Sequence, residues 1–327
     1  MTISTAPKSP NNYPLNNLDW PSILTIAKSK LEKDGYWVFS SGNTDRAALL
    51  ELAECFGKRK SHVHSDPDGI REVTNKSSSK KSLKQQYTAN TNTIFKPHTD
   101  GTFLDGIAKT KESSLVYVNP PDIVLMQMVQ PAALGGESTI LDSQPMLEEA
   151  LQYDPELVKV LLQPCVVYSR DDQCARASVL KRISRDTWSI RWRYDFATLV
   201  EQNACDALKV FYKKYVSNPK YLKHFSLQAG DVVVIDNLRV LHGREAFSDD
   251  PEKPRLLRRL WVSTREQVFV NPLGQPQSQR VYEQYQPYSS IEPVEKTKPL
   301  ISVSTGMQLN PESQTIAETL LNNICFV

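Results

Sequence analysis

Pro97-His98-Thr99-Asp100-Gly101-Thr102-Phe103 is the stretch on which the fold and the chemistry of this chain turn. A histidine and a carboxylate two positions apart on an extended segment point to the same face, because side chains alternate along a strand. Both can then reach one ion. An imidazole and a carboxylate suit a borderline divalent metal such as Fe(II), but a third ligand must come from elsewhere. The best candidate is His242, in Val240-Leu241-His242-Gly243-Arg244. Two histidines and one carboxylate on one face of an octahedral ion leave three positions open, which suits non-haem iron. Such a site needs rigid strands to stand on. The alternative reading packs His98 in a loop and places Asp100 in a turn.

The rest of the chain supplies strands. Gly230 to Asn237 reads as a turn and then a strand, with polar residues at its rim just ahead of His242. Ile123–Val129, Thr139–Leu141, Cys165–Tyr168, Trp188–Trp192, Asp231–Ile235 and Arg259–Ser263 read as further strands. Helices are expected over Trp20–Lys33 and Asp45–Phe56, with Gly35 and Gly57 as stops, and near Met146–Leu162 and Glu201–Val216. The pattern predicts a mainly β chain with helical additions, a double-sheet jelly roll. The regular strand–helix alternation of a parallel doubly wound sheet is missing. Residues 1–17 read as a loose arm and 18–327 as one domain, irregular after about 272. The polar stretch Asn75–Lys96 reads either as a disordered surface loop or as a mobile lid over the site.

Composition excludes several classes. A formal net charge of +2 argues against a nucleic-acid binder. The one basic cluster, Arg255-Leu256-Leu257-Arg258-Arg259, is interleaved with apolar residues. No apolar run is long enough to cross a bilayer, and the polar start is unlike a signal peptide. Five scattered cysteines without a Cys-x-x-Cys pair favour reduced thiols in a cytoplasmic protein. A small-molecule substrate is therefore expected, with no nucleic acid and no membrane. Nothing in the sequence specifies an oligomeric state.

Three more features carry possible chemistry. His62-Val63-His64 has same-face spacing on an extended segment. It reads as a rival Zn(II) pair, as a pocket lining, or as two partly exposed histidines. Arg255 offers a planar fork that matches a carboxylate bidentately. If Pro254–Ser263 is a strand, Arg255 and Arg259 share a face with Leu257 and Trp261, while Arg258 points away. Two arginines on an apolar face favour a buried anionic partner. In Leu134-Gly135-Gly136-Glu137-Ser138-Thr139 the glycines permit a tight turn. Thr139 then begins a strand, where its hydroxyl could donate to a carboxylate. An ordinary hairpin reads equally well there.

In order and spacing, His98–Phe103, Gly135–Thr139, Asp236–Arg244 and Pro254–Trp261 resemble the Fe(II)/2-oxoglutarate-dependent dioxygenases of the taurine dioxygenase and clavaminate synthase-like superfamily. The run from Asp34 to Gly57 is similar to the family's opening, so the resemblance covers roughly residues 20–265. It implies a distorted jelly roll, a double-stranded β-helix. His98, Asp100 and His242 would be the iron ligands and catalytic centre. Arg255 and Thr139 would bind 2-oxoglutarate, and Arg259 and His64 would face the substrate. Asn75–Lys96 would be the mobile segment over the pocket. The implied activity uses O2 and 2-oxoglutarate to hydroxylate an unactivated C–H bond of an amino acid or related carboxylic acid. A desaturase or cyclase on the same scaffold, or a noncatalytic ligand sensor, are the alternatives. Because Asp100 supplies a carboxylate, the resemblance points away from halogenation.

Overall fold

The computed structural model describes residues 20–60, 64–75, 88–104, 106–109, 115–170, 173–184, 187–195, 198–264, 269–270 and 300–303. The expected arm 1–17, residues 76–87 of the expected lid, and all but 300–303 of the segment beyond 272 lie outside the described residues. The chain forms two compact units: 1–98 with 121–143 and 219–264, and 99–120 with 144–218 and 265–327.

In the first unit, the helix Trp20–Asp34 ends at Gly35, whose φ of 74° lies in the region that favours glycine. The strand Tyr36–Ser40 follows, then the helix Arg46–Phe56. These helices cover one face of the larger sheet. Its strand order is Tyr36–Ser40, Asp231–Asp236, Ile123–Gln130, Leu256–Ser263 and Lys58–Lys60, with Arg71–Val73 also paired to Leu256–Ser263. Every pairing is antiparallel. Alternation sorts the side chains. Trp37, Phe39, Leu125, Val232, Val234, Leu260 and Val262 pack with Ile23, Ala27, Leu49 and Leu52 in the helix-side core. The residues between them face the other way.

The smaller sheet runs Leu222–Phe225, Ser138–Asp142, Val240–Arg244, Phe95–His98, again antiparallel. Two antiparallel sheets with helices on one outer face make the jelly roll that the strand pattern predicts. The turn before Val240 is held by Arg239. Its Nε and Nη2 donate to Asp142 at 2.8 and 2.6 Å, and Nη1 and Nη2 donate to the carbonyls of Glu32 and Lys33 at 2.8 and 3.0 Å. One side chain thus ties the end of the first helix to the edge of the smaller sheet.

The second unit holds a four-stranded antiparallel sheet, in the order Gln173–Ala177, Val166–Arg170, Thr198–Glu201, Leu300–Ser302. Tyr168, Trp192, Phe211 and Tyr215 are its largest fully buried side chains. The expected helix Met146–Leu162 is two helices, Ser143–Tyr153 and Pro155–Leu161. Pro155 lacks an N–H and so starts a new helix instead of continuing the old one. The expected helix Glu201–Val216 is a 3-10 turn, a short α-helix Cys205–Phe211 and a π-helical turn Tyr212–Val216.

Candidate active site

The smaller sheet brings the two histidines together. His242 stands opposite His98 on one neighbouring strand and opposite Ile140 on the other. The imidazole centroids are 4.5 Å apart. Asp100 follows His98 by two residues, and the ligand atoms of His98, Asp100 and His242 all lie within 4.8 Å of one another. All three are buried. His98 Nδ1 donates to the carbonyl of Lys96 at 3.0 Å, which leaves Nε2 for an ion. Thr99, between the two ligands, is fixed on both sides. Its N–H donates to the Trp192 carbonyl at 2.8 Å, and its Oγ1 accepts from the Trp192 N–H at 3.0 Å. A buried set of two imidazoles and one carboxylate fits Fe(II).

Gly243 explains why three strands can close up here. A Cβ at this position would lie 2.5 Å from Thr139 Oγ1 and 2.6 Å from the Phe95 carbonyl oxygen, so any side chain would force the strands apart.

Next to the histidines is an arginine pair. Arg244 lies two residues beyond His242 and shares its face. Its Nη2 donates to the carbonyls of Thr91 and Thr93 at 2.8 and 2.5 Å, pinning the turn that leads into Phe95–His98. This holds the described end of the expected lid. Arg255 is 4% exposed and passes beside Gly136. Both guanidiniums lie over the Phe247 ring, at 4.6 and 5.5 Å. Burial pushes each down to about 10. Arg244 is lowered further by the charge of Arg255, while Asp249 acts in the opposite sense on both. Arg255 Nε is buried without a hydrogen-bond partner among the described residues. Two buried cations of this kind call for an anion.

Pairing corrects one expected residue. Thr139 is opposite Gly243, whereas Arg244 is opposite Ser138 and His242 is opposite Ile140. Directly paired residues share a face, so Thr139 points away from the metal face and Ser138 points toward it. A one-residue slip in the reading exchanged the two hydroxyls. His64 departs from the expected extended segment. It is exposed on a turn, not on a strand. His62 lies outside the described residues.

Arg259 behaves as its alternation predicts. Arg258 turns to the helix side, where it donates to Glu72 at 3.2 Å and to the Thr44 carbonyl at 2.6 Å. Arg259 is buried on the opposite face with Leu257 and Trp261, its guanidinium 5.0 Å from the Trp261 ring centroid. The sequence reading passed over Ser138 and Arg244, which share the face of His242. Arg244 was within reach, because it repeats the period of two from His242. Ser138 needed the strand register.

The model of the taurine catabolism dioxygenase TauD, TfdA family matches residues 9–261. The chain belongs to this family. Membership of TauD/TfdA agrees with the mainly β fold. The chain is also 30% identical over 174 residues to a uridine-5'-phosphate dioxygenase from Streptomyces. That match covers 50% of this chain and 59% of the relative, so it spans less than two thirds of the relative's length. Among solved structures, an asparagine oxygenase is similar at a TM-score of 0.57 and 18% identity, over 75% of this chain and 79% of that one. The non-heme iron oxygenase OrfP, in complex with Fe and alpha-ketoglutaric acid, gives 0.54 and 16%, over 75% and 80%. PvcB from Pseudomonas aeruginosa gives 0.52 and 18%, over 78% and 83%. These likenesses show that the TauD/TfdA chain has the fold of those oxygenases. Among its described residues, no helix is long and apolar enough to cross a membrane.

Proposed function

We propose that this TauD/TfdA-family chain is an Fe(II)- and 2-oxoglutarate-dependent oxygenase that hydroxylates an unactivated C–H bond of a small anionic molecule. One observation carries the reading: a buried His98, Asp100 and His242 cluster stands beside Arg244 and Arg255, and neither arginine makes an ion pair among the described residues. Bound iron and 2-oxoglutarate would supply O2 activation coupled to decarboxylation to succinate. The chain's own residues do the rest. His98, Asp100 and His242 hold the ion by one face and leave the other open. Arg255 forks the far carboxylate of 2-oxoglutarate, and the Ser138 hydroxyl donates to the same ligand. That carboxylate offsets the charge that Arg255 imposes on Arg244. Arg259 holds an acidic group of the substrate, and Trp261 and Met126 keep water from it.

Amino acids and related carboxylic acids are one class of such substrates, as the asparagine oxygenase and the hydroxyarginine complex of OrfP illustrate. Nucleoside phosphates are another, as the Streptomyces relative illustrates. The common element is a small anion. Asp100 leaves no position for a halide, so oxygenation is favoured over halogenation. Cys55, Cys165 and Cys205 are free thiols, which suits the cytoplasm.

The test is an anaerobic titration with Fe(II) and then 2-oxoglutarate, followed by O2 and candidate substrates. The parent should develop the charge-transfer absorption of iron-bound 2-oxoglutarate and release succinate. His98→Ala, Asp100→Ala and His242→Ala should each lose tight iron binding and fall to background turnover. Near-normal turnover in His242→Ala would remove it from the ligand set. An absorption band without succinate, for every substrate tried, would favour the sensor.

A further inference from the structure

The turn ahead of the first histidine is held by the strand and hairpin that follow the second. Thr88–Asn90 is a 3-10 turn, and the Thr91 N–H and Oγ1 both donate to the Thr88 carbonyl, at 3.1 and 2.9 Å. Asn92, Thr93 and Ile94 are exposed, so little apolar burial holds this stretch in place. Three bonds from elsewhere in the unit do so. Arg244 Nη2 donates to the carbonyls of Thr91 and Thr93 at 2.8 and 2.5 Å, and the Phe247 N–H donates to the Asn92 carbonyl at 3.0 Å. Three successive carbonyls are thus taken by Arg244 and Phe247. Two residues on, Phe95 pairs with Arg244 in the ladder, and its ring centroid lies 3.9 Å from that of His98. The turn is continuous with the strand that presents a metal ligand.

The hydrogen-bond partners of Arg244 among the described residues are all carbonyls, those of Thr91, Thr93 and Glu245. They satisfy its donors and leave its charge standing. Arg255 shares the Phe247 ring with it, the two guanidiniums lying 5.5 and 4.6 Å from the centroid. Asp249, which accepts from the Arg255 N–H at 2.8 Å, offsets part of the repulsion between them. What remains pushes Arg244 away from Arg255, and its bonds to the turn weaken with it. An anion on Arg255 removes that push. We propose that Arg244 is a positioning residue that couples cosubstrate binding to the 88–93 turn: the far carboxylate of 2-oxoglutarate, held by Arg255, fastens the turn through Arg244 and the Phe247 N–H. The coupling deepens the proposed oxygenase reading and rests on it. It is reciprocal, so a fastened turn tightens the hold on 2-oxoglutarate by the same factor. The strand that presents His98 is then firmest when the cosubstrate is bound.

The experiment reads backbone exchange instead of turnover. Amide hydrogen exchange at Phe247 and across 91–94 is followed by mass spectrometry in the anaerobic Fe(II) protein. It is measured alone, with saturating 2-oxoglutarate, and with saturating 2-oxopentanoate, a keto acid of the same length that lacks the far carboxylate. In the parent, 2-oxoglutarate should slow the Phe247 amide by about fivefold or more, the lower end of the usual coupling, and 2-oxopentanoate should leave it nearly unchanged. Arg244→Gln carries no charge for Arg255 to repel, so its exchange should be the same with and without 2-oxoglutarate. Calorimetry on that variant should show 2-oxoglutarate weakened by about the same factor and 2-oxopentanoate unaffected. Arg244→Lys keeps the charge without the fork and should keep part of the protection, which also serves if Arg244→Gln folds poorly. Equal protection by the two keto acids in the parent would overturn the coupling, as would equal protection by 2-oxoglutarate in the parent and both Arg244 variants. A parent that develops the 2-oxoglutarate absorption band without slowing at Phe247 overturns the coupling alone. A parent that shows no band overturns the oxygenase reading with it.

Discussion

The strand Val240–Arg244 has an arginine at each end, and the two are treated in opposite ways. At the turn end, Arg239 is fully partnered. The Asp142 carboxylate and two helix-end carbonyls take its donors, and the hydrogen bonds to Asp142 hold its pKa above the usual guanidinium value. At the other end, Arg244 and Arg255 are buried side by side and pushed down to about 10. A structural arginine brings its anion with it. A binding arginine is built into the fold before its anion arrives, and the fold bears the cost until then.

The largest test of that contrast is Arg255→Ala. The apparent KM for 2-oxoglutarate should rise about tenfold to a hundredfold, from loss of a charge-assisted bidentate partner. The ligand-free protein should be no less stable in thermal unfolding, because a buried cation has been removed. Arg255→Lys should rescue only part of the KM. An unchanged KM would move the anchor to Arg244.

Arg239→Ala should behave in the opposite way. It should cost about 2 kcal/mol of unfolding free energy in a denaturant titration, since its partners are inside the chain. The KM of the molecules that remain folded should hold. A large KM effect without lost stability would erase the distinction between the two ends.

A smaller effect is expected at Asp236, in the same turn. Burial pushes its carboxyl up to about 6, against the hydrogen bond from the Leu238 N–H and the charge of Arg239, with Asp122 adding repulsion. Because the folded pKa is raised, the folded state binds the extra proton. The stability this gives is present at low pH and lost as pH rises through about 6. Asp236→Asn does not titrate, so it should gain on the parent by about 1–2 kcal/mol between pH 4 and pH 8. A pH-independent difference would show that water reaches the carboxylate. Smallest is the hydroxyl pair. Ser138→Ala should raise the KM for 2-oxoglutarate a few-fold to about tenfold, the effect of one hydrogen bond, while Thr139→Val leaves it alone. The reverse order would restore Thr139 to the metal face.

Much of this molecule was legible in its sequence. The helices Trp20–Asp34 and Arg46–Phe56 end at glycines that the chain itself supplies. The spacing of His98 and Asp100, the apolar strands, and the opposite senses of Arg258 and Arg259 all follow from local periodicity. A period of two fixes which residues of one strand travel together. It does not fix which face they take, and a slip of one residue reverses every side chain. Only the pairing of Ser138–Asp142 with Val240–Arg244 decided between Ser138 and Thr139. Only the pairing of Arg71–Val73 with Leu256–Ser263 set Arg71 against Arg259, residues separated by most of the chain. Surroundings likewise set Arg239, held by Asp142, apart from Arg255, buried beside Arg244, because the cost of a charge depends on what lies around it and not on its neighbours in sequence.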